Sequence, residues 1–106
     1  MTWRDAAALF FGGLFLANST PHFIAGVSGR AFHTPFAKPP FRGVSPPTVN
    51  IAWSLCNLAL AWVLLVAVGA LDLHNGPMVA FAASGFGFGG WFIARSITKM
   101  QREAAK

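Results

Sequence analysis

Residues 51–71 read IAWSLCNLALAWVLLVAVGAL, and this stretch decides the fold because none of its 21 side chains is charged. At about 1.5 Å per residue, a helix of this length crosses the roughly 30 Å hydrocarbon core of a bilayer. The preceding Ser45-Pro46-Pro47-Thr48 predicts a helix start, because proline suits a first turn and serine or threonine can cap it. Residues 72–76 have the composition of a tight turn. We therefore predict a transmembrane helix over about 46–71.

The composition of the whole chain also indicates lipid as the main solvent. The 106 residues are 55% hydrophobic and 10% charged, whereas soluble domains carry about 25% charged residues. A soluble chain this short has little core in which to bury so much apolar surface. The formal charge of +5 comes from basic residues that flank the apolar spans. They predict a bilayer with anionic headgroups as the partner, and no nucleic acid.

The third apolar span is rich in small residues. It is predicted to begin at Pro77 and to run over about 77–98, before a tail at 99–106. Small residues at helical spacing let a neighbouring backbone approach closely, and here they are Ala83, Gly85, Gly87, Gly89 and Gly90. A nucleotide-binding role for the glycines is not expected, because no strand precedes them. We predict that this span packs against another copy of the chain or against a larger membrane complex.

The first span is less regular. It covers about 6–27, and Pro21 predicts a break or kink near 18–22, as one bent helix or as two pieces. Arg4 and the apolar run after it loosely fit a signal peptide, but Asp5 argues against one. The predicted fold is an all-α integral membrane protein, a single unit of three transmembrane helices.

The loop between the first two helices, residues 28–45, reads SGRAFHTPFAKPPFRGVS. Its prolines exclude a regular helix, and its phenylalanines argue against a freely solvated linker. We expect an ordered loop and leave two arrangements open. It is either an extended segment on the inner membrane surface, with Arg30, Lys38 and Arg42 facing lipid headgroups, or a loop that packs over the helix ends.

Lysine and arginine are distributed unevenly across a three-span arrangement. The N-terminal tail and the second turn together carry one, whereas the first loop and the C-terminal segment carry seven. The positive-inside rule then predicts that the first loop and the C-terminus are cytoplasmic and that the N-terminus is outside, in a bacterial-type inner membrane.

Polar residues recur on the first two helices at similar depth. Asn18 lies about 12 Å short of the inner membrane face, and Asn57 lies about 9 Å from it. Asn18 and His22 share one helix face, as do Asn50, Ser54 and Asn57. Unpaired polar groups are costly in hydrocarbon, so we predict that the two stripes face each other. We call these five residues the polar seam.

The polar seam has three interpretations. The favoured one is a set of hydrogen bonds that holds the helices together. The second is a pocket open to the cytoplasm, in which His22, His33 and Arg95 surround a ligand or an anionic headgroup. The third is a metal or haem site at His22 and His33. No cofactor is predicted, and haem bound through His22 is the alternative.

Function is not specified by any motif in the chain. The favoured hypothesis is a small accessory or assembly subunit of a membrane complex, packing through the glycine-rich third span. The alternatives are a homo-oligomeric small channel or carrier, with the polar seam along its path, and a redox or enzyme subunit that uses His22. Catalysis has little support, because no carboxylate lies within a span and no serine or cysteine has a base at recognisable spacing.

Overall fold

The computed structural model describes residues 1–106 and is all-helical. Helix α1 is Trp3–Val27, α2 is Pro47–Trp62, and α3 is Gly76–Ala104, with a π-helical segment at Val63–Val68 that continues α2. The prediction of three helices long and apolar enough to cross a membrane is confirmed. Their length and composition suggest membrane insertion.

Helix α1 begins earlier than its apolar run and is unbroken. The Thr2 hydroxyl accepts the Asp5 N–H, and the Asp5 carboxylate accepts the Thr2 N–H, so the helix starts at Trp3. Pro21 lies inside the helix, which continues to Val27 as a single element rather than as two pieces.

The start of α2 differs from the expected serine or threonine cap, and that prediction is wrong. Pro46 occupies the N-cap position without a side-chain hydrogen bond, and Pro47 is the first helical residue. The Ser45 hydroxyl lies 2.6 Å from the Thr34 hydroxyl instead. Ser45 therefore fastens the loop, while the proline pair sets the helix start.

The second helical stretch ends at Val68, before the predicted end at Leu71. Its last turns widen, because the Gly69 N–H donates to the Leu64 carbonyl at 2.9 Å and the Leu71 N–H donates to the Leu65 carbonyl at 2.8 Å. Ala70 then has a φ of 49°, which ends the helix. The turn that follows is closed by the Asp72 carboxylate, which accepts the N–H of His74.

Helix α1 lies in the middle and packs against both other helices, whereas α2 and α3 scarcely touch each other. The contact between α1 and α3 is a close backbone approach. A Cβ added at Gly85 would overlap the Phe10 carbonyl oxygen, and one added at Gly13 would overlap the Ala82 carbonyl oxygen. Glycine is needed at both positions because nothing larger fits between the backbones.

The loop folds back on itself over the helix ends. Phe32 and Ser45 exchange backbone hydrogen bonds across its base, at 3.2 and 2.8 Å. Thr34 is fully buried, and its carbonyl accepts the Phe41 N–H at 2.9 Å. Arg42 pairs with Glu103 near the end of α3. The structure thus has the loop packed over the helix ends, and the contact of Arg30, Lys38 and Arg42 with lipid headgroups stays a prediction.

Candidate functional site: a polar seam beside an apolar cavity

The structure brings the polar residues of α1 and α2 together in pairs. The Asn18 side-chain amide donates to the Asn57 side-chain carbonyl at 2.8 Å. One turn further along α1, His22 Nδ1 lies 2.8 Å from Asn50 Oδ1. Between these pairs the Ser54 hydroxyl donates to the Ser19 carbonyl at 2.8 Å. The polar seam thus consists of direct hydrogen bonds between antiparallel helices.

Asn50 connects the polar seam to the loop. Its side-chain amide donates to the Ser45 carbonyl at 3.0 Å and to the Pro46 carbonyl at 3.2 Å, with a longer contact of 3.4 Å to the Phe32 carbonyl. These donors fix the orientation of the amide group, so that Oδ1 faces His22. Oδ1 can only accept, so His22 Nδ1 carries the proton in this bond.

A cavity of about 630 Å³ adjoins the polar seam. It occupies the space between α2 and α3, with α1 behind it and the loop at one end. Asn18 and His22 line it from α1, His33 from the loop and Trp53 from α2. The wall from α3 consists of Phe88, Gly89, Phe92, Ile93, Ser96, Ile97 and Met100.

The cavity keeps several polar atoms free. His33 Nδ1 lies 3.1 Å from the Gly43 carbonyl, so it also carries a proton and leaves Nε2 as an acceptor in the neutral ring. Neither His22 Nε2 nor His33 Nε2 has a hydrogen-bond partner. Trp53 Nε1 is the only side-chain nitrogen or oxygen that is both fully enclosed and without a hydrogen-bond partner. The two Nε2 atoms lack a partner but are not fully enclosed, so both remain accessible.

Arg95 lies apart from His22 and His33, although the pocket interpretation of the sequence grouped all three around a ligand. Its guanidinium lies over the Trp91 ring, 5.6 Å from the centroid. It shares that face of α3 with Lys99 and Arg102, away from the cavity. Helical spacing explains the position of Arg95. The cavity lies against the face of α3 that carries Gly89, and Arg95 is on a different face.

The predicted small residues of α3 divide between two faces. Gly85 and Gly89 are buried against α1, where a Cβ at Gly89 would lie 3.1 Å from the Ala17 Cβ. Gly87 and Gly90 have no atoms within 4 Å of an added Cβ, and Ala83 is exposed. Only half of the glycine pattern is therefore used within the chain.

The predicted headgroup contacts also divide. Arg30 and Lys38 are exposed and have no acidic partner, whereas Arg42 pairs with Glu103.

The chain has no cluster of three or more histidine, cysteine, aspartate or glutamate side chains that could hold a metal ion. The chemistry available at the cavity is hydrogen bonding beside a large apolar surface.

Sequence reasoning missed two polar residues of the cavity, Ser96 and Trp53. Ser96 follows Gly89 by seven residues and thus lies on the same helix face, so it carried a usable signal. The Trp53 N–H carried no such signal, because tryptophan near a helix start is also typical of a membrane interface.

A scan of protein-family models and searches of curated proteins and of solved structures found no match to this chain.

Proposed function

We propose that the chain is an integral protein of a bacterial inner membrane, with its N-terminus outside and its loop and C-terminus cytoplasmic. The uneven distribution of lysine and arginine supports this orientation. The pairing of Arg42 with Glu103 is consistent with it, since the loop and the end of α3 must lie on the same side. Arg30 and Lys38, which are exposed and lack acidic partners, would then face the phosphates of anionic lipids.

Within the membrane the chain acts as an accessory or assembly subunit that docks on a larger partner through α3. The observation that carries this proposal is an uncovered stripe of small residues, which lies on the side of α3 turned away from α1. It consists of Ala83, Gly87, Gly90 and Ala94, all exposed. Such a stripe lets a partner helix approach to backbone contact, as Gly85 and Gly89 do for α1.

The channel or carrier alternative has less support. A polar path through the chain would need side chains that can face water, but Asn50 and Asn57 are each 0% exposed. Both are also engaged in hydrogen bonds within the chain. Redox chemistry at His22 is supported only by the place of this ring on the cavity wall.

The test is purification of tagged protein in a mild detergent, followed by mass spectrometry of the co-purifying chains. We expect a partner at fixed stoichiometry with the unaltered protein. Gly87→Leu and Gly90→Leu should each release it, because a branched side chain blocks close helix approach. Both substitutions meet open space within the chain, so the protein itself should fold.

The matched control is Ala59→Leu, which adds bulk to an exposed position on α2. This variant should retain the partner. A monodisperse preparation of the chain alone, or equal release by Ala59→Leu and Gly87→Leu, would contradict docking through the α3 stripe.

A further inference from the structure

The cavity beside the polar seam has no charged side chain in its wall. The nearest basic cluster of α3 contains Arg95, Lys99 and Arg102, and it lines a different surface. An ionised headgroup inside the cavity would lose its water without gaining a counter-charge, which is unfavourable. The wall therefore favours an uncharged occupant over an anionic lipid.

Three polar side chains of the wall present a free hydrogen-bond acceptor. His22 and His33 each present an unpaired Nε2, because their Nδ1 protons are committed to Asn50 and to the Gly43 carbonyl. Asn18 uses its amide nitrogen on Asn57 and keeps its own Oδ1 free. Acceptors need a donor, and a hydroxyl group is an uncharged donor that membrane lipids carry.

The rest of the wall is hydrocarbon. Phe88, Phe92, Ile93, Ile97 and Met100 form a continuous apolar surface along α3, on the side that faces α1. The volume of about 630 Å³ is within the range of roughly 300–1,000 Å³ that ligand sites occupy. An occupant with a polar end and a long apolar body matches this division of the cavity.

We infer that the cavity is a binding site for a neutral lipid alcohol, a membrane lipid whose head is a free hydroxyl and which carries no ionised group. The hydroxyl donates its single proton to one acceptor at a time, His22 Nε2, His33 Nε2 or Asn18 Oδ1, and the apolar body lies along α3. This site lies on the side of α3 that faces α1, whereas the uncovered stripe of small residues lies on the side turned away from α1. The inference therefore goes beyond the accessory role and does not depend on a partner subunit.

The test compares three lipids that share the same two oleoyl chains, added to the purified full-length protein in detergent. Dioleoylglycerol has a free hydroxyl, its 3-acetyl ester has that hydroxyl capped, and dioleoyl phosphatidic acid replaces it with a charged phosphate. Binding is measured by native mass spectrometry. We expect dioleoylglycerol to bind at one molecule per chain and the acetyl ester to bind at least about tenfold more weakly, because the acceptors lose their donor.

A pair of isoleucine variants locates the site. Ile97→Trp places a larger ring in the cavity and should abolish dioleoylglycerol binding. Ile24→Trp makes the same change at an exposed position of α1, outside the cavity, and should leave binding unchanged. His33→Phe removes one acceptor without touching the bond between His22 and Asn50, and should weaken binding of dioleoylglycerol but not of its acetyl ester.

The three lipids are compared on the unaltered protein, so the result stands even if a variant fails to fold. Equal binding of dioleoylglycerol and its acetyl ester would overturn the hydroxyl site. Preferential binding of phosphatidic acid would replace it with an anionic-lipid site. Absence of saturable binding by all three would likewise overturn the proposed lipid site.

Discussion

His22 Nδ1 lies 2.8 Å from Asn50 Oδ1, and this bond joins the middle helix to the residue that also holds the base of the loop. Asn50 is fully buried and uses both ends of its side-chain amide. Asn57, about two turns further along the same face of α2, makes its own bonds to Asn18 and to the Trp53 carbonyl, each at 2.8 Å. The two asparagines look equivalent in the sequence but have different numbers of partners.

Asn50→Leu should destabilise the protein more than Asn57→Leu. The first change leaves His22 Nδ1 and the Ser45 and Pro46 carbonyls without their side-chain partner, at a cost of about 1–3 kcal/mol for a buried unsatisfied group. The second removes one interhelical bond, worth on the order of 1 kcal/mol in membrane proteins. Unfolding by SDS titration in mixed micelles measures both, and equal losses would contradict the linking role of Asn50.

The glycines of α3 offer a second comparison. Gly85→Ala should lower the free energy of unfolding by about 1–3 kcal/mol, because its Cβ would overlap the Phe10 carbonyl and force α1 and α3 apart. Gly87→Ala meets open space and should leave stability unchanged or raise it by up to about 1 kcal/mol through helix propensity. The same titration applies, and a loss at Gly87 as large as that at Gly85 would show that both faces of α3 are packed.

The sequence predicted the spans and the facing polar stripes for a physical reason. A charge-free run of 21 residues has few options besides a membrane helix, and polar residues at helical spacing in apolar spans need partners. These are local properties of one or two helices. The pairing of Asn18 with Asn57 then follows from their similar depth once the helices are antiparallel.

The cavity could not be predicted in the same way. It lies between α2 and α3, which both pack on α1 but scarcely touch each other, and the position of α3 depends on which of its glycines meet Phe10 and Ala17. A pattern of small residues at several helix faces does not say which face is used. The same ambiguity placed Arg95 beside His22, whereas the register of α3 turns it over Trp91.

Glu103→Gln should loosen the loop without unfolding the bundle. Arg42 and Glu103 both lie near the surface, and exposed ion pairs add little to global stability. The pair nevertheless joins the loop to the end of α3. We expect faster hydrogen exchange in residues 38–44 and an unchanged unfolding midpoint. Lys99→Gln, which removes a charge from the same helix end, is the control, and identical exchange in all three proteins would rule out a holding role for the pair.

Cysteine labelling should place the loop on the cytoplasmic side. Cys56 is exposed on α2 and is replaced by alanine first. Lys38→Cys then puts a thiol at an exposed loop position, whereas Ser45 is unsuitable because it is buried against Thr34. The positive-inside rule predicts protection of position 38 from a membrane-impermeant reagent in intact cells. Leu73→Cys, at a residue 77% exposed in the opposite turn, should label readily, and the reverse pattern would invert the proposed orientation.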